Sequence, residues 1–184
     1  MTILRHTNGN FGGINTIKYL FKEDIASMII SRDTLLATLV LKSGRVWKDL
    51  YGTPSTMQIE SKEEPVPSGM RYNCQIKMMV PKDRIDAEVT LMQLNNRHLI
   101  ISATDSNGVE RYYGTLDSPM KKISKLIKPT NIEGYNGWEV VFSGDFSFPP
   151  AYPAHESGGV IDPPPDPIDD GGVVPDGDTV GTKA

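Results

Sequence analysis

The sequence predicts a mainly β protein: an antiparallel β-barrel or sandwich with one helix and an extended C-terminal arm. Three observations predict it. Short runs alternate apolar and polar residues with a period of two. Gly, Asn and Pro punctuate those runs. Only one stretch, Asp83 to Leu94, spaces its apolar residues convincingly as a helix does.

Each element follows in chain order. After the Gly12-Gly13 hinge, Thr16 to Lys22 places Ile17, Tyr19 and Phe21 on one side of a half-buried strand, which Glu23-Asp24 ends. Leu35 to Val40 and Val46 to Leu50 flank Lys42-Ser43-Gly44-Arg45, a hairpin signal because Gly tolerates the positive φ of a tight turn. Thr53 to Glu60 reads as a strand with Met57 and Ile59 facing one way. Lys62 to Gly69 reads as a loop, since Pro65 and Pro67 cannot donate to a ladder.

Met70 to Val80 alternates over its full length. Met70, Tyr72, Cys74, Ile76 and Met78 share a face, with Arg71, Asn73, Gln75 and Lys77 on the other. Pro81 stops it. The helix over Asp83–Leu94 takes Asp83 as N-cap, Asp86 and Glu88 near its start, and Ile85, Val89, Met92 (or Leu91) and Leu94 as its apolar positions. Asn95-Asn96 ends it.

Leu99 to Ala103 and Val109 to Tyr113 flank Asp105-Ser106-Asn107-Gly108, the strongest short hairpin signal in the chain. Pro119 to Lys128 fits a short helix or a strand equally. Trp138 to Phe148 alternates again, with Gly144 as an expected bulge, and Pro149-Pro150 closes the domain. Eight or nine strands and one helix thus fill roughly the first 150 residues.

The predicted organisation is an N-terminal arm over 1–13, a β-rich domain over 14–153 and an acidic Pro/Gly tail over 154–184. Apolar residues make up 38% of the chain, enough for a core only if concentrated, and nearly all the large ones precede Tyr152. From Ala154 onward seven acids stand against one base, Lys183, whereas Met1 to Pro153 holds 18 bases and 16 acids. A nearly neutral body lacks the clustered Lys and Arg that phosphate binding requires. The tail, with Pro163-Pro164-Pro165 and two Gly pairs, buries too little apolar surface to order itself alone. Extended, about 30 residues at roughly 3.1 Å each reach on the order of 90 Å. No apolar stretch suits a signal peptide or a membrane span, so the expectation is a protein made in a cytoplasm, away from membranes.

The residues that carry chemistry elsewhere do not converge in sequence. His6, His98 and His155 share no metal-ligand spacing, and Cys74, the single cysteine, sits in an alternating run as a buried thiol would. In the tail, a calcium loop starting at Asp166 would need an oxygen ligand at Ile168. The carboxylate pairs Glu63-Glu64 and Asp169-Asp170 lie in Pro-rich segments, without the rigid shell that acid–base work demands. The expectation is therefore no enzyme, no cofactor and no metal. Tyr112 and Tyr113 are consecutive, so on a regular strand only one faces the core and the other is free for an interface. The candidate interface set is Tyr112, Tyr113, Pro163, Pro164, Pro165, Asp169 and Asp170.

The order of signals carries a resemblance. Ile17-Lys18-Tyr19-Leu20-Phe21-Lys22-Glu23-Asp24-Ile25 comes first, then Val46-Trp47-Lys48-Asp49-Leu50 and the strand-Pro-helix through Leu94. Next come Leu99 to Gly108, with Asp105 and Asn107-Gly108, then Arg111 and Gly114, and finally Gly134-Tyr135 through Val140, Phe142 and Gly144. This resembles structural tail proteins of bacteriophages and prophages of Bacteroides-type hosts, including head–tail ring and tail components of crAss-like phages. It covers roughly Ile14 to Pro153 and leaves out the first thirteen residues and the tail.

The resemblance implies a tail-tube-like barrel or sandwich in a homo-oligomeric ring around a DNA passage, without specific DNA binding. It also implies neighbours among other tail, portal or connector proteins, and a place in the virion tail or neck. No catalytic residue carries over. The residues agree on one point: a long two-faced strand and open hairpins leave edges that neighbouring subunits can complete. The alternative reading is a β-sandwich binding module (head fibre, adhesin or receptor-binding component) whose tail is a linker.

Overall fold

The computed structural model describes residues 12–129, 134 and 136–154. Its strands are Ile14–Phe21 (β1), Ile25–Ile30 (β2), Leu36–Leu41 (β3), Lys48–Asp49 (β4), Gln58–Val66 (β5), Gly69–Pro81 (β6), Leu99–Asp105 (β7), Glu110–Tyr113 (β8), Lys121–Ile127 (β9), Gly137–Phe146 (β10) and Tyr152–Pro153 (β11). One α-helix, Ile85–Gln93 (α1), lies between β6 and β7, and two single-turn 3-10 segments flank β2 and β5.

Three open sheets result, ordered β4-β1-β7-β8, β5-β6-β10-β9 and β11-β3-β2. Every pairing is antiparallel except β11 with β3. None closes into a barrel, and the architecture is a sandwich.

The first sheet is the shared layer, and residue alternation explains why. On β1, Ile17, Tyr19 and Phe21 enter the main core, while Leu20 joins a second cluster on the opposite face. On β7, Leu99, Ile101 and Ala103 enter the main core and Ile100 the second. The main core is completed by Cys74, Ile76, Met78 and Val80 of β6, Val140 and Phe142 of β10, and the inner side of α1. The second is completed by Ile25, Met28, Leu39, Leu41 and Trp47. A strand covered on both faces is apolar without alternation, which is the Leu99-Ile100-Ile101 run. Burying each of these side chains contributes roughly 1.5–3 kcal/mol.

Several expectations are corrected. Leu36–Leu41 and Lys48–Asp49 are not a hairpin: β3 pairs with β2 and β11, and β4 with β1. Lys62–Gly69 is not a loop. It belongs to a hairpin in which Pro65 pairs with Met70 and only Pro67 and Ser68 turn, tolerable because β5 is an edge strand. The strand expected from Thr53 begins at Gln58, after a 3-10 turn over Pro54–Thr56. Ile25–Ile30, which the alternation rule missed, is a strand.

Gly144 is no bulge, since it pairs in register with Cys74. A Cβ there would lie 2.7 Å from Cζ of Phe146, so packing demands the glycine. The register shifts fall instead at Ile14/Thr16 and Ile25/Ser27. Pro119–Lys128 resolves as strand β9. Pro149-Pro150 does not end the fold, because β11 follows.

In α1 the N-cap is Arg84, without a side-chain cap, while Asp83 pairs with Lys128 at 2.7 Å. The inward residues are Ala87, Leu91 and Leu94, whereas Ile85, Val89 and Met92 are exposed.

Candidate assembly interface

The β5–β6 hairpin outreaches the sandwich. β10 pairs with β6 from Pro81 back to Tyr72, and beyond Tyr72 only β5 remains as a partner. Among the described residues the ribbon is exposed from Pro67 to Arg71, with Glu64 and Val66 intermediate. On its outer face Arg71 donates to Glu64 at 2.6 Å, with Lys62 at 3.1 Å from the same carboxylate. The Arg71 hydrogen bond, followed by Lys62, holds the Glu64 carboxyl below its usual pKa. Exposed pairs of this kind contribute little stability. The opposite face carries the exposed Met70 beside Pro65.

The β7–β8 hairpin is tighter. The Asp105 carboxylate accepts from the backbone N–H groups of Asn107 at 2.8 Å and Val109 at 2.9 Å, which keeps its pKa low. Gly108, at φ +79°, supplies the left-handed residue of the turn. β8 follows and separates the two tyrosines. Tyr113 faces the main core opposite Ile101, and burial pushes its phenol up to about 12.

Tyr112 faces the other way, half-buried. Its ring lies 5.3 Å from that of Trp47, with planes inclined by 30°. Its backbone exchanges hydrogen bonds with Ala151, of 2.7 and 3.2 Å. Neither tyrosine presents a free ring. Pro163, Pro164, Pro165, Asp169 and Asp170 lie outside the described residues, as do His6 and His155.

Other polar groups are placed for packing. The Cys74 thiol is fully buried 3.2 Å from Ser61 Oγ, and burial raises its pKa. Buried Ser102 donates to the Glu110 carboxylate. Buried Asp24 meets Arg45 at 3.2 Å. His98 contributes its backbone carbonyl to Lys22 N–H at 2.9 Å. Among the described residues no three His, Cys, Asp or Glu side chains converge as metal ligands, and no helix is long and apolar enough to cross a membrane. The surface clefts are shallow. One of about 330 Å³ opens between β5 and the β7–β8 turn, lined by Ile59, Ala103, Arg111 and Tyr113.

Two apolar features escaped the reading of the sequence. One is the outer stripe of α1. The other is Ile123 on the edge strand β9, flanked by Lys121 and Lys125. The stripe's spacing of four and three residues marks the helix without showing which side faces the core. Ala87, Leu91 and Leu94 form a second such stripe, and the two compete in any periodicity argument. Comparison with protein-family models, curated proteins and solved structures returns no match.

Proposed function

We propose that this protein is a non-enzymatic virion component that forms a ring in a phage tail or head–tail connector through subunit–subunit contacts. The observation that carries the reading is the β5–β6 hairpin. A two-stranded ribbon exposed at its tip is marginal by itself, and it gains stability when a neighbour covers it. Further partners would be other tail, portal or connector proteins, with DNA passing the ring without specific binding. The near-neutral body suits that role, since a strongly basic wall would hold passing DNA.

Negative-stain microscopy and light scattering of the purified chain, alone and mixed with the products of adjacent genes, test the reading. Closed rings of one diameter are expected. A chain that stays monomeric under all these conditions favours the binding-module alternative and overturns assembly.

A further inference from the structure

The helix α1 is apolar on two opposite sides. With 3.6 residues per turn, the stripe Ile85, Val89 and Met92 lies about half a turn around from Ala87, Leu91 and Leu94. The inner three are buried. Of the outer three, Ile85 is 83% and Met92 63% exposed. Large apolar side chains at helical spacing pointing straight away from the core form a patch that a packed partner would cover. Around it Asp83, Asp86 and Glu88 stand against Lys82 and Arg84; Lys128 holds Asp83 and Arg84 holds Asp86, which leaves Glu88 as the acid outside an ion pair among the described residues.

β9 carries the complement. Lys121 to Lys128, which is β9 and the residue after it, holds four lysines and no acid; Lys122 turns inward and Lys128 pairs with Asp83, which leaves Lys121 and Lys125 for the outer face. Lys122 points inward to α1, so strand alternation points Lys121, Ile123 and Lys125 out on the opposite face of the sheet. Ile123 is 67% exposed. Its cross-strand neighbour on the same face is Val141, with Lys77 beyond it; Lys125 lies across from Glu139, and among the described residues neither Lys121 nor Lys125 is in an ion pair. Among the described residues β9 is also a sheet edge.

We infer that the outer stripe of α1 in one copy packs against the outer face of β9 in the next copy, with Ile123 at the centre of the contact and Lys121 and Lys125 facing Glu88 of that helix. The two patches differ and lie on opposite sides of β9, so the contact is head-to-tail. Repeated, it closes into a ring or runs on as a filament, depending on the rotation per subunit. The occupant is a second copy because the apolar centres and the signs of the charges match within a single chain. The inference rests on the assembly reading above and names its interface.

Light scattering after size-exclusion chromatography of the full chain tests it, using Met92→Glu and Ile123→Glu. Both positions are solvent-exposed, and circular dichroism verifies folding. Wild type is expected as a multiple of the 20.3 kDa chain mass, and each variant alone as a monomer. An equimolar mixture of the two variants should give a one-to-one dimer and nothing larger, since one intact helix patch meets one intact strand patch. Glu88→Lys and Lys125→Glu form a second pair: each alone should raise the concentration for half-assembly roughly tenfold, and the double variant should recover.

Variants that assemble as wild type does overturn this interface while leaving ring formation standing. Monomeric variants that fail to complement overturn its head-to-tail character. A wild-type chain that is monomeric at every concentration overturns the assembly reading itself, and this contact with it.

Discussion

The ammonium of Lys122, on β9, donates a 2.8 Å hydrogen bond to the backbone carbonyl of Leu91 in the last turn of α1. A second bond, of 3.0 Å, goes to Ser124 Oγ. Burial lowers the Lys122 pKa, yet the carbonyl end of a helix is where a cation is favoured. One side chain therefore joins the only described helix to an edge strand.

Its removal should loosen that joint. Lys122→Ala is expected to lower stability by about 2 kcal/mol, losing both bonds and the packing of the stem. Lys122→Met keeps the stem and should cost less than half as much. Urea midpoints of the three proteins measure the difference; equal losses would show that the stem contributes nothing.

Gly144 is fixed by its neighbour. Its absent Cβ would sit within 2.9 Å of two Phe146 ring atoms, and that ring is buried. Gly144→Ala should cost about 1–3 kcal/mol by overpacking. Adding Phe146→Leu should return part of the loss, because the two sites share one space. Thermal unfolding of the single and double variants reads the coupling directly.

Alkaline stability should depend on Tyr113. The unfolded phenol ionises near the ordinary tyrosine value of 10.0, while the folded one keeps its proton up to about 12. Between those values the unfolded chain binds fewer protons, so stability falls as pH rises. Below pH 10 the contribution is complete. Tyr113→Phe should flatten the decline in urea midpoint from pH 10 to pH 12. Tyr19 and Tyr112, also raised by burial, leave a residual slope. Parallel curves for wild type and variant would remove Tyr113 from this role.

Local signals proved legible and long-range ones did not. The β7–β8 hairpin follows from Asp105 to Gly108 because its hydrogen bonds lie within those few residues and Val109. The Lys42–Arg45 turn is also a hairpin signal, yet nothing in it shows that Leu41 pairs with Ile25 and Asp49 with Lys18. Partner choice there depends on burial of both faces of the β1 and β7 layer, a property of the whole chain. β2 was hidden because the shift between Ile25 and Ser27 breaks the period-two pattern. Pro65 misled because a proline vetoes a central strand but not an edge. For the interface, Tyr112 and Tyr113 were separated by alternation as expected. Their engagement by Trp47 and the core depends on residues distant in sequence, which spacing alone does not reveal.

The pairings of Ala151 to Ala154, antiparallel to β8 and parallel to β3, have a mechanical consequence. Ala151 exchanges two hydrogen bonds with Tyr112, Tyr152 N–H reaches Leu35, and Ala154 N–H reaches Ala37. A lengthwise pull on the chain beyond Ala154 loads these four bonds together in shear, whereas a sideways pull peels them one after another. Any tether attached there would hold firmly in one direction and release easily in another.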